Sequence, residues 1–104
     1  MKHFFLLLAT LVSTTAVLSA QSSHNYKPAD GYVSDASTAI AIAQIILKKT
    51  YGEDNMARQM PLTASIKSGI WTVEGTLPKN HVGGVALIEI RKDDGKILRV
   101  THGK

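Results

Sequence analysis

Residues 69–90 read GIWTVEGTLPKNHVGGVALIEI. On both sides of the central loop, apolar and polar side chains alternate with period two, the pattern of a strand with one buried face. Strands are therefore expected over 70–77 and 85–91. The same period continues outward over 62–67 and 97–102, making four strands in all.

A slip of one residue would turn every apolar set to the wrong face, so the pattern also predicts register. A tight turn at Ser68-Gly69 places Ile66 opposite Trp71 and Ala64 opposite Val73. A three-residue loop, Asp93-Asp94-Gly95, with its glycine left-handed, places Ile90 opposite Leu98 and Ile88 opposite Val100. Setting Val73 beside Ile90 requires one odd residue in the joint, and Gly83-Gly84 is the cheapest position for such a bulge.

One face then collects Leu62, Ala64, Ile66, Trp71, Val73, Leu77, Ala86, Ile88, Ile90, Leu98 and Val100. The other carries Thr72, Glu74, Thr76, Leu87, Glu89, Arg91, Arg99 and Thr101, with Val85 and Ile97 scattered through it. Glu89 faces Arg99 in this register, and Glu74 lies diagonal to Arg91. The expected unit is an antiparallel four-stranded meander with one dry and one solvated face.

Upstream, residues 34–52 read SDASTAIAIAQIILKKTYG. Ser34 or Asp35 can cap an exposed N–H, Lys48 and Lys49 sit at the negative end of the dipole, and Gly52 can terminate the helix. A helix over 35–50 follows. Ala36, Ile40, Ala43 and Leu47 form one apolar stripe, which Ala39, Ile42, Ile45 and Ile46 widen beyond what a single sheet face covers. Something else should cover Ile42 and Ile45, and a homodimer through helix or sheet would account for the surplus. Residues 52–61, GEDNMARQMP, read as a polar connector with two methionines packed beneath it.

The fold class is thus α+β, one N-terminal helix on a four-stranded antiparallel sheet. The chain has 104 residues and no cysteine, so no disulfide can staple so small a core. Residues 1–20 have a basic start, an apolar run and a small residue before Gln21, the layout of a secretory signal peptide. Residues 21–31 read as a flexible linker, and 32–104 as one helix-plus-sheet domain. An exported protein, periplasmic or secreted and without a membrane span once the leader is removed, is expected.

The net charge is +4, but cations alternate with acids along the strands. Nucleic-acid binding would cluster Lys and Arg on one face, so none is expected. Gly83-Gly84 lacks the Lys-Ser/Thr pair and the following helix of a phosphate loop. His81 and His102 lack metal-ligand spacing. Glu74 and Glu89 could sit opposite each other as acid-base carboxylates do, but arginines lie within cross-strand reach. Neither catalytic residues nor a cofactor or metal site is expected. The mixed apolar, charged and threonine face, represented by Thr72, Glu74, Leu87, Glu89, Arg91 and Arg99, is instead suited to binding a protein.

The segments GYVSDASTAIAIAQIIL, YGE and GIWTVEGTLPKNHVGGVALIEIRKDDGKILRVTHGK together carry a resemblance covering about residues 31–104. They resemble the nuclear-transport-factor-2 fold immunity proteins, the YbbC/YhhH-type family of small bacterial proteins. The resemblance implies a helix packed on a curved sheet, a nuclear-transport-factor-2-like or cystatin-like cone. It also implies stoichiometric neutralisation of a polymorphic toxin, so that the partner is a toxin domain and no turnover is involved. The alternative is an exported, non-catalytic binding or inhibitory module of the cell envelope unrelated to toxins.

Overall fold

The computed structural model describes residues 24–104; the expected leader, residues 1–20, lies outside them. Helix α1 spans Ala36–Tyr51. Asp35 is its N-cap: its Oδ1 accepts the Thr38 N–H at 2.8 Å and the Ser37 hydroxyl at 2.9 Å. At the other end the Gly52 N–H donates to the Lys48 carbonyl. Ala39, Ala43 and Leu47 are fully buried, and the two alanines let the helix axis approach the sheet closely.

The stretch read as an irregular connector contains a second, short helix, α2, spanning Glu53–Ala57. Two acids in its first turn favour the positive end of the dipole, and Met56 is completely buried. Five residues are too few to display a helical period in the sequence.

The strands are β1 (Thr63–Lys67), β2 (Ile70–Glu74), β3 (Ala86–Arg91) and β4 (Ile97–His102), antiparallel in the order β1-β2-β3-β4. Ser68 (φ 50°) and Gly69 (φ 75°) form the two-residue turn, whose left-handed pair matches the strand twist. Ile66 accordingly faces Trp71, and Ala64 faces Val73, as expected.

The β2–β3 register differs from expectation by two residues. Val73 faces Ile88, and Trp71 faces Ile90. A shift of two preserves every side chain's face. The ladder is continuous up to the Gly75 N–H bond to the Ala86 carbonyl at 2.9 Å, so no bulge is needed at Gly83-Gly84. Gly84 has another reason to be glycine: its backbone lies so close to that of Gly103 that an added Cβ would overlap the Gly103 Cα. The strand β2 ends earlier than predicted, and Leu77 lies 41% exposed outside the sheet.

The bulge occurs instead between β3 and β4. The Arg91 N–H donates to the Lys96 carbonyl at 2.8 Å, which closes the hairpin one residue away from the predicted three-residue loop. Ile90 then faces Ile97, while Glu89 faces Arg99 and Ile88 faces Val100. Leu98 is the extra residue and turns outward, 38% exposed, while Ile97 takes its expected place against the core.

The core consists mainly of Val33, Ala39, Ala43, Leu47, Met56, Leu62, Trp71, Val73, Ala86, Ile88 and Ile90. The indole N–H of Trp71 donates to the Val33 carbonyl at 2.8 Å, tying the chain entering α1 to the middle of the sheet. Tyr32 and Val33 also donate backbone N–H groups to Asp93 and Lys92, each at 3.0 Å. Ala36, placed on the apolar stripe, is exposed at the first turn. Ile45 is 71% exposed and Ile66 45% exposed, so neither is covered as the apolar count suggested.

Candidate protein-binding face

Helix α1 packs on one face of β1, β2 and β3, and among the described residues no helix lies on the opposite face. Parity sends alternate side chains there, and the register sorts them into rows. One row is Thr63, Glu74, Leu87 and Thr101; the next is Ser65, Thr72, Glu89 and Arg99. The third begins Lys67, Ile70 and Arg91. All six expected binding residues, Thr72, Glu74, Leu87, Glu89, Arg91 and Arg99, thus occupy this one surface.

Their electrostatic pairing is only partly as expected. The Nε of Arg99 lies 3.8 Å from Glu89 Oε2, with side chains 57% and 31% exposed, a loose pair of the kind that contributes little to stability. Glu74 is not diagonal to Arg91. The two-residue register shift places it opposite Leu87 and diagonal to Glu89, while Arg91 stands opposite Ile70. The Arg91 Nε instead donates to Asp94 Oδ1 at 2.9 Å. That hydrogen bond and the accompanying charge raise the Arg91 guanidinium above its ordinary pKa. On the partner, the same bond and the Lys96 N–H hold the Asp94 carboxyl below its usual value.

A shallow depression of about 280 Å³ on this face is lined by Lys67, Ser68, Ile70, Thr72 and Glu89. Sequence reasoning did not single out Lys67, Ser68 or Ile70. Ile70 shares parity with Thr72 and Lys67 pairs with Ile70 across the turn, but the turn obscured that the three belong to one patch.

Two groups singled out by type have local roles. The Nδ1 of His81 lies 2.9 Å from the Lys79 carbonyl in the β2–β3 loop. His102 is met by Gln59, a 4% exposed residue of the polar connector. Gln59 Oε1 accepts the Ala86 N–H at 2.8 Å, and its amide nitrogen donates to Asn55 Oδ1 at 3.3 Å and to His102 Nε2 at 2.9 Å. This polar knot fastens the connector to β3 and β4. Among the described residues no group of three His, Cys, Asp or Glu side chains is placed to hold a metal ion. No helix among them is long and apolar enough to cross a membrane.

A helix capped at both ends over an unclosed antiparallel sheet defines an α+β domain of the nuclear-transport-factor-2 type. The chain belongs to the NTF2 fold immunity protein family, whose profile matches residues 38–104. It is similar to the uncharacterized protein YhhH of Escherichia coli strain K12, 38% identical over 73 residues, which cover 69% of this chain and 58% of that protein. It is also similar to the uncharacterized protein YbbC of the same strain, 36% identical over 73 residues, covering 69% of this chain and 60% of that protein. The matched region therefore spans less than two thirds of either relative. No solved structure matches the chain.

Proposed function

We propose that this protein neutralises a toxin domain by stoichiometric binding, with no turnover, through the open sheet face. The observation that carries the reading is the surface itself, where Thr72, Glu74, Leu87, Glu89, Arg91 and Arg99 form adjacent rows on a sheet face that no helix among the described residues covers. Fixed strand rows hold mixed charge and hydrocarbon at low entropic cost, which suits recognition of a folded partner. Membership of an immunity protein family supports a toxin as that partner. Residues 1–20 act as an export signal, residues 21–31 as a linker and residues 32–104 as the binding domain, so the toxin is met outside the cytoplasm.

The test is titration calorimetry against a toxin domain encoded beside the gene, using the charge-exchanged double variant Glu89→Arg, Arg99→Glu. Exchange preserves the exposed pair, worth roughly 0–1 kcal/mol, so melting stays within about a degree of the parent while binding is abolished. Undiminished binding by the folded double variant would move the interface off this face.

A further inference from the structure

The outer edge of β1 is built to pair, and we propose that it pairs with β1 of a second copy of this chain. In a two-residue hairpin the residues flanking the turn exchange hydrogen bonds, and bonded and non-bonded pairs then alternate. Lys67 and Ile70 are the flanking pair. The backbone N–H and C=O groups of Ala64 and Ile66 consequently point away from β2, toward the free edge. Among the described residues nothing outside the β1–β2 ladder bonds to the backbone of 63–67. Unlike β4, this edge has no bulge, and it has neither a proline nor an inward-pointing charge, the devices that normally block edge-to-edge pairing.

The apolar surface beside the edge points the same way. Tyr51 of α1 meets His102 of β4 edge-on, with ring centroids 5.2 Å apart. At about 100° per residue, Ile42 and Ile46 lie on the flank of α1 opposite Tyr51, across the buried Ala39-Ala43-Leu47 line, with Ile45 farther round toward solvent. That flank therefore overhangs β1. Ile66 shares the helix-covered side with Trp71 but is 45% exposed, and Ile45 is 71% exposed. An added strand brings side chains to the Ile66 end of this patch, and the second copy's helix flank faces Ile42 and Ile46.

One register pairs the whole length of β1 with its copy. Outward-facing residues must oppose outward-facing residues, so Ala64 lies opposite Ile66 of the second copy, with Ser65 on the twofold axis. Both helices then fall on the same side of one continuous sheet. The only charge in the strand, Lys67, falls opposite Thr63 of the other copy, one strand from Glu74, which is Thr63's partner in β2. Neither Lys67 nor Glu74 has an ion-pair partner within one copy among the described residues. The twofold therefore brings unpaired opposite charges toward one another twice. The open face used for the toxin stays uncovered and is doubled in extent.

Sedimentation equilibrium on the purified chain should give a mass twice that of one chain at micromolar concentration. Ser65→Lys sets two ammonium groups together on the axis and should weaken self-association at least about tenfold, leaving the melting of the separated copy unchanged because Ser65 is exposed. Ile66→Pro removes an N–H that faces the free edge together with the half-exposed isoleucine side chain beside it, and should give a folded monomer. Because the chain has no cysteine, Ser65→Cys should form a single intermolecular disulfide under mild oxidation, while Thr72→Cys on the open face should not. A monomeric parent at every concentration would overturn the proposal. So would a dimer that survives Ser65→Lys, or one that cross-links through Cys at 72 in place of 65.

Discussion

The side chains of Gln59 and His102 meet Nε2 to Nε2 at 2.9 Å, joining the segment before β1 to the last residue of β4. Gln59 can reach because the facing position is Gly75, where any Cβ would overlap the glutamine amide. The Gln59 carbonyl also accepts the Thr76 N–H at 2.7 Å, so one residue ties together three segments of chain at this end of the sheet. Gln59→Leu keeps the volume but leaves the buried Ala86 N–H without its acceptor. A loss of about 2–4 kcal/mol is expected in urea unfolding, since an unpaired buried donor costs about 1–3 kcal/mol in addition to the bonds forfeited. Asn55→Ala, which removes only the longer 3.3 Å contact, should cost less than about 1 kcal/mol. Equal losses in the two variants would show that Gln59 contributes packing alone.

The same contact fixes the tautomer of His102. Gln59 Oε1 is committed to the Ala86 N–H, so its NH2 group faces the imidazole and donates. Nε2 of His102 must then accept, and Nδ1, 2.7 Å from the Gly103 carbonyl, must carry the proton. Long-range proton–nitrogen correlation spectra should show the Nδ1–H form, the minority species for a free histidine. In Gln59→Leu that preference should disappear. An Nε2–H signal in the parent would mean that the glutamine amide is turned the other way.

Trp71 is 7% exposed and its indole N–H is bonded to Val33, so truncation removes both a large buried surface and a polar tie. Trp71→Ala should cost about 3–5 kcal/mol. Trp71→Phe, which keeps most of the packing and loses the bond, should cost about 1–2 kcal/mol. A tryptophan that merely decorated the surface would give an Ala variant melting with the parent.

Much of this architecture was legible because period two and period 3.6 are local properties. Trp71, Val73, Ala86, Ile88 and Ile90 could be assigned to the buried face before any pairing was known, and position before an apolar run narrowed the cap to Ser34 or Asp35, of which the structure uses Asp35. What parity cannot supply is the length of a loop. Whether the β3–β4 hairpin closed at Arg91 and Lys96 depended on hydrogen bonds to Asp94, whose Oδ1 accepts the Lys96 N–H at 3.0 Å, and this reversed the roles of Ile97 and Leu98. The β2–β3 loop hid a two-residue shift for the same reason, since such a shift leaves every face intact. Gln59 could not be found from pattern at all. A polar residue in a polar connector carries no signal of burial until the chain folds back against Gly75. The six residues of the proposed binding face were placed together by parity alone, but the pairing of Arg91 with Asp94 in place of Glu74 required the true register.

Asp35 gives the fold a specific dependence on acid. Its carboxyl is held below the ordinary aspartate value by the Thr38 hydroxyl first, then by the Thr38 backbone N–H and the Ser37 hydroxyl. A carboxyl with a lower pKa folded than unfolded stabilises the native state at pH values above the unfolded pKa, about 3.9. The contribution is lost as pH falls from there through the folded value, because the proton then taken up must displace the cap. Asp35→Asn leaves an acceptor of similar capping strength but nothing to titrate. Urea unfolding of parent and variant should therefore differ most at neutral pH, with the parent more stable, and converge as pH falls below about 4. Asp94, depressed by Arg91, acts in the same window and sign, so the Asp35→Asn curve should be flattened without becoming level. Parallel curves for parent and variant across that range would show that the carboxylate charge adds nothing to the cap.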